Sequence, residues 1–260
     1  DTVVGVEAQK LFDDAQRLLN AWTQDPKGIK MKAVHGIFPA ARTSSETVTL
    51  FDPVKASQPI GKFEFLRQQI DQRDGIQRSL ADFISPCSTP DDFLGCFAVA
   101  VHGIDPIADA QVAQGDDYEA ILIKAVGDRL AEALAEWLHQ KVRRETWGYA
   151  SDESLNNEAL IKEQYQGIRP APGYPACPDH LDKEQIWSLL KAEDTIGARL
   201  TENLAMQPAS AVSGYYFAHP ESRYLGVGLI ADDQISDLAQ RRNLSLVSMK
   251  RWLSANLLDA

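Results

Sequence analysis

The chain has 260 residues, 44% of them hydrophobic, with 26 basic against 37 acidic side chains and a net charge of −11. That is enough apolar material to bury a substantial core in one large domain or two small ones, which excludes a disordered polymer. The acid excess argues against a nucleic-acid partner, because a polyanion would meet a predominantly acidic face.

No apolar run approaches the ~18–20 residues needed to cross a bilayer, and no signal peptide precedes Asp1. A cytoplasmic setting with no membrane partner is expected. Cys87, Cys96 and Cys177 are odd in number and widely spaced, the pattern of reduced thiols rather than of a disulfide framework. The chain starts without methionine and enters a helical pattern almost at once, so the expectation is a domain spanning 1–260, cut as an N-terminally truncated fragment from a larger multidomain chain.

Val4, Ala8, Leu11, Phe12, Ala15, Leu18 and Leu19 recur at helical spacing from Val3 to Trp22, and Asp25-Pro26 with Gly28 ends the run. Residues 33–38 and 47–51 read as two strands joined by a polar turn with Ser44 and Ser45. Phe63, Phe65 and Leu66 fit either the end of a strand or the start of a short helix. Residues 93–101 are nearly all apolar, short and bounded by polar residues, which predicts a buried central strand.

Between Asp117 and Glu145, a stripe from Ile121 and Leu122 through Val126, Leu130, Leu134, Trp137 and Leu138 to Val142 predicts the longest helix. Lys141, Arg143 and Arg144 at its end read as solvated cations complementing the helix dipole. A short helix over 157–164 follows, then one over 183–196 opened by Asp182, with Gln185 at capping-box spacing. Residues 211–217 and 224–230 read as strands joined by His219-Pro-Glu-Ser, and helices over 233–242 and 246–255 close the chain. Strands in pairs and helices in blocks predict an α+β layer rather than an alternating parallel sheet.

Between the 157–164 and 183–196 segments lies Tyr165-Gln-Gly-Ile-Arg-Pro-Ala-Pro-Gly-Tyr-Pro-Ala-Cys-Pro-Asp-His180, with four prolines and two glycines. Each proline lacks an amide hydrogen and fixes φ, so the stretch is a pre-shaped loop, either a rigid connector or a cradle that loses little entropy on binding. Arg169-Pro-Ala-Pro-Gly173-Tyr174 carries the Arg-x-x-x-Gly-Tyr signature of the activation, S-adenosylmethionine-binding, domain of cobalamin-dependent methionine synthase. Residues 129–136, Trp147-Gly-Tyr, 213–217, His219-Pro and Arg251-Trp-Leu-Ser-Ala-Asn256-Leu resemble that family in the same order.

The resemblance implies a curved, mostly antiparallel sheet flanked by helices. It implies that Arg169 holds the ligand's carboxylate with its guanidinium fork, the geometry suited to that group. It also implies that main-chain groups of Ala171, Gly173 and Tyr174 bind its adenine and amino-acid ends. Tyr224 matches a further contact position; at Leu225, where the family has a tyrosine, only a main-chain contact carries over. Glu132 and Glu163 match carboxylates near the groove, where they would favour a cationic ligand centre. Glu132 lies beside its helix's apolar stripe and is expected to be semi-buried. An aspartate that the family places upstream has no counterpart, so weaker ligand binding than for a complete domain is expected.

By the same resemblance, the chain is the reactivation module of a 5-methyltetrahydrofolate–homocysteine methyltransferase. It presents S-adenosylmethionine for reductive methylation of cob(II)alamin, with cobalamin held by a domain of the same polypeptide outside this chain, as are the folate and homocysteine sites. Flavodoxin or a flavoprotein reductase supplies the electron. No catalytic acid or base is expected here. The alternatives are a free-standing hydrolase or transferase using Cys177 with His180 or His219, and an interaction module that binds no small molecule. Cys177 and His180 have zinc-ligand spacing, but no second such pair exists and no metal site is expected. Nucleophile-elbow, Walker and dinucleotide-fingerprint motifs are absent, which excludes the usual Rossmann route to this ligand.

Overall fold

In a computed structural model the protein is described over residues 2–55 and 57–258, with the side chains of residues 2–4, Val3 and Val4 among them, outside the described set. In chain order, the elements are α1 (Thr2–Gln24), β1 (Lys30–Arg42), β2 (Thr47–Phe51), β3 (Pro59–Glu64), β4 (Asp92–His102), α2 (Ile104–Val112) and α3 (Asp117–Lys141). There follow α4 (Asn157–Ile161), α5 (Asp182–Leu190), α6 (Ala192–Ile196), β5 (Arg199–Leu200), β6 (Met206–Gln207), β7 (Ala211–Tyr216), α7 (Asp232–Arg242) and α8 (Leu246–Trp252).

Five strands form one sheet in the order β3-β2-β1-β4-β7, and β5 pairs with β6 in a separate ribbon. β2 runs antiparallel to both β1 and β3. β4 runs against β1, because a Cβ on Gly103, just past the end of β4, would lie 2.8 Å from the carbonyl oxygen of Gly28, just before β1 begins. It runs against β7 as well, since Val101 N–H donates to Ser210 O at 2.9 Å at the opposite strand end. The α+β class with an antiparallel sheet is the expected one. β4 lies between two neighbours, and Leu94 to Val101 are all buried, as a continuous apolar run requires.

The chain divides into two compact units: residues 1–34, 98–138 and 192–212 form one, and residues 35–97, 139–191 and 213–260 the other. The core of the first joins Leu18 and Trp22 of α1 to Val101, Ile104 and Ala108, and to Leu122, Ile123 and Val126 of α3. Leu11, Phe12, Ile121 and Trp137, counted in the helical stripes, are exposed. The second unit carries an aromatic cluster, Phe63, Phe65, Phe83, Tyr215 and Phe217, with ring centroids 5.0–6.4 Å apart. Beside it, Leu66, Val227, Ile230, Ile235, Leu238, Met249 and Leu253 form a separate apolar cluster.

Four local expectations are corrected. Residues 224–230 form no strand: Gly226 and Gly228 interrupt them, the latter at φ +80, and Tyr224 and Leu229 face solvent. The helix expected over 183–196 breaks at Lys191, whose left-handed φ of 47 separates α5 from α6. Asp182 is no N-cap; Leu181 holds that position and the carboxylate is engaged elsewhere. Arg143 is not solvated: its side chain is 0% exposed and makes a bidentate pair with Glu153 at 2.7 and 2.8 Å.

Candidate functional site

The proline-stiffened stretch begins as an extension of the sheet edge. Ile168 N–H donates to Phe217 O at 3.0 Å, Phe217 N–H to Ile168 O at 3.1 Å, and Tyr215 N–H to Pro170 O at 2.9 Å. Gly214 permits this approach, since a Cβ there would strike the Pro170 carbonyl oxygen. In an antiparallel pairing the residue between two bonded positions turns its amide away. Arg169 does so, its N–H donating to the Tyr224 hydroxyl at 3.1 Å.

Past Pro170 the chain closes on itself. Gly173 N–H donates to Cys177 O at 2.8 Å, Cys177 N–H to Tyr174 O at 2.9 Å, and Tyr174 N–H to Ala171 O at 3.2 Å. Gly173 has φ +97, a region in which any side chain is strained. The His180 ring also lies where its Cβ would be, with Nδ1 2.6 Å from that point. Tyr174 is 64% exposed and is not a core aromatic. Along one side, a cleft of about 480 Å³ is lined by Gly173, Tyr174, Pro175 and Pro178 with Ile70, Gly226 and Leu229.

The Arg169 guanidinium is partly exposed and gripped from behind. Its Nη1 donates to the Tyr165 hydroxyl at 2.5 Å and lies 3.4 Å from His139 Nδ1. Arg143 stacks over the Tyr165 ring at 3.8 Å, and Glu153 neutralises Arg143. His139 is fully buried, stacked on Tyr216 with centroids 4.9 Å apart and interplanar angle 11°, and edge-on to Tyr165 at 5.2 Å. Burial, with Arg143 and Arg169 beside it, holds its pKa well below the usual histidine value, so the ring is neutral.

Beneath the loop lies a second polar cluster. Arg242 Nη2 donates to Asp179 Oδ2 at 3.1 Å and to Glu64 O at 2.9 Å, while Nη1 donates to Asp182 Oδ1 at 2.7 Å. Tyr215 donates its hydroxyl to Asp182 Oδ2 at 2.6 Å. Burial pushes the Asp179 carboxyl up to about 6, although Arg242 opposes the rise. Removing one partner of such a buried pair typically costs about 3–5 kcal/mol, so this cluster fixes the segment on which Gly173 rests.

The same burial argues against the nucleophile reading of Cys177. Its thiol donates to Ala171 O at 3.0 Å, and burial pushes its pKa well above the ordinary value, whereas a nucleophilic cysteine requires the thiolate. Among the described residues no group of three metal-ligating side chains occurs.

Of the sequence-predicted residues, Arg169, Ala171, Gly173, Tyr174 and Tyr224 come together at this loop. Leu225 is partly buried against the apolar cluster around Val227. Glu163 is exposed beyond the end of α4, with φ 51. Glu132 belongs to the first unit and is not semi-buried: it is half exposed and paired with Arg129 at 2.7 Å, one turn away. His139, Tyr165, Asp179 and Arg242 were missed. Only Tyr165, four residues before Arg169 and at the mouth of the loop, offered a sequence signal.

The family model for the activation domain of vitamin B12 dependent methionine synthase matches residues 1–243 of this chain. Among solved structures, the chain is similar to a crystal structure of the MetH reactivation domain bound to AdoHcy. The two are 46% identical with a TM-score of 0.92, over 100% of this chain and 80% of that one.

Proposed function

Since the chain belongs to the family of vitamin B12 dependent methionine synthase activation domains, we propose that its proline-stiffened loop binds S-adenosylmethionine and presents the methyl group for reductive methylation of cob(II)alamin. The observation that carries this reading is the Arg169 guanidinium, held from behind by Tyr165 and His139 at the rim of a pre-shaped backbone turn. A planar fork fixed in this way suits a carboxylate, and a turn already ordered by its own hydrogen bonds loses little entropy when a ligand docks. The similar MetH structure holds AdoHcy, the species S-adenosylmethionine becomes once its methyl group has left.

The parent enzyme is methionine synthase, a methyltransferase; its activity as a 5-methyltetrahydrofolate–homocysteine methyltransferase belongs to this proposal. A sulfonium already makes its methyl carbon electrophilic, so this chain supplies alignment rather than an acid or base. Arg169 orients the amino-acid end, and the main chain of Ala171, Gly173 and Tyr174 orients the nucleoside. Tyr224, bonded to the Arg169 amide, braces the loop from outside. Leu225 contributes backbone only, and Glu163 contributes negative potential. The methyl acceptor would be cobalamin carried by another domain of the same polypeptide, with flavodoxin or a flavoprotein reductase as the electron source.

Thermal denaturation with AdoHcy tests the reading. Ligand at 100 times its dissociation constant stabilises the folded state by about 2.7 kcal/mol, or roughly 5–10 °C for a chain of this size. Arg169→Ala removes most of that rise. An equal rise in parent and variant overturns the assignment of the carboxylate to Arg169.

A further inference from the structure

We propose that His139 is a positioning residue for the carboxylate-binding guanidinium, acting as a neutral hydrogen-bond acceptor that sets the orientation of Arg169. The inference rests on the S-adenosylmethionine reading above and goes beyond it by naming what aims the arginine.

A guanidinium on a loop, tied down by its backbone alone, samples many rotamers, and each one given up on binding weakens the ligand. Here Nη1 has two fixed partners, the Tyr165 hydroxyl at 2.5 Å and His139 Nδ1 at 3.4 Å. Neither partner can swing. The His139 ring is clamped flat on Tyr216 and edge-on to Tyr165, and the Tyr165 ring is itself covered by the buried Arg143. The other imidazole nitrogen, Nε2, lies 3.4 Å from the Tyr149 hydroxyl.

A histidine serves here only in one state. Protonated, it would place a cation against Arg169 and close to Arg143, whose partner Glu153 is already committed to that pair. Neutral with the proton on Nδ1, it would turn a donor toward another donor. The tautomer protonated on Nε2 accepts from Arg169 and donates to the Tyr149 oxygen, satisfying both nitrogens. A buried imidazole kept solely for packing would not require that arrangement, and a phenyl ring would stack on Tyr216 equally well.

The test compares AdoHcy with 5′-methylthioadenosine, which keeps the nucleoside and sulfur but lacks the amino acid, in calorimetric titrations of the parent, His139→Phe, His139→Asn and Arg169→Ala. The expected result is that His139→Phe weakens AdoHcy about tenfold and leaves 5′-methylthioadenosine within about twofold. His139→Asn, whose amide oxygen can stand in for Nδ1, recovers most of the loss. Unchanged AdoHcy affinity in His139→Phe, or equal weakening of both ligands, overturns the inference. Arg169→Ala tells the two levels apart: if it abolishes the preference for AdoHcy while His139→Phe does not, only the role of His139 fails; if it leaves the preference intact, the carboxylate assignment fails as well. Imidazole ¹⁵N shifts of the unmutated protein decide the matter even where a variant does not fold. An unprotonated Nδ1 supports the inference, and a proton on that nitrogen overturns it.

Discussion

Gly173 shows how one residue serves two constraints. Its φ of +97 makes any side chain strained, and the His180 imidazole fills the place a Cβ would take. The resemblance implied a main-chain contact at this position; the structure adds that the space beside it is already taken from within. Gly173→Ala is therefore expected to lower stability by about 1–3 kcal/mol, combining left-handed strain with displacement of a ring. Adding His180→Ala relieves the second part and leaves the first. Denaturant unfolding of both variants checks this, and a double variant no more stable than Gly173→Ala would show that His180 exerts no pressure there. The arginine was legible because it stands in the Arg-x-x-x-Gly-Tyr motif that resembles the activation-domain family; the histidine behind it was not, since His139 sits near the end of a long helix with no local mark of what it touches.

At the scale of elements, apolar runs and prolines were readable while long-range charge pairs were not. The continuous run of β4 reported a central strand, and the loop's prolines spoke against helix, but they did not keep the loop off the sheet: Ile168 and the Pro170 carbonyl pair with the strand edge at Tyr215 and Phe217. Between the two closing helices, Asn243 ends α7 at φ 55, and the Ser245 side chain caps α8 by accepting from the Ser248 amide. Asp182 looked like a cap because its partner, Arg242, lies 60 residues on and nothing local announces it. α2 was overlooked, although Pro106 sits in its first turn, where a missing amide hydrogen costs nothing.

The Asp179–Arg242–Asp182 cluster that ties α7 to the loop makes a prediction about pH. Asp179 titrates near 6 in the folded chain, above its unfolded value near 3.8. Between these values the folded state holds a proton that the unfolded state has released, so this group's contribution to stability falls as pH rises from about 4 to 7. His139 acts oppositely: with its folded pKa depressed, its contribution is lost as pH drops below its unfolded value of about 6.5. Asp179→Asn abolishes the first dependence and leaves the second. Its stability relative to the parent should therefore improve between pH 4 and pH 7 by a few kcal/mol, an order-of-magnitude figure. Urea unfolding at several pH values reads this directly, and a difference that stays flat with pH would show that Asp179 does not titrate in that window.

On the scale of the molecule, an acidic chain with no metal cluster among its described residues, and no helix there long and apolar enough to cross a membrane, carries a loop built largely from backbone, the one proposed above to hold the methyl donor. The fold supplies a sheet edge at β7, a loop that extends it, and two polar clusters that hold the loop from behind and below. Composition could announce none of this beyond size and charge; the ordered motifs carried the loop, and the long-range clusters behind and below it had no local mark. The most direct test is a crystal of this chain soaked with AdoHcy. The account predicts electron density along residues 169–174, with the ligand's carboxylate on the Arg169 guanidinium and its nucleoside against the main chain of Ala171 to Tyr174. A ligand bound elsewhere, or one whose amino-acid end turns away from Arg169, would contradict it.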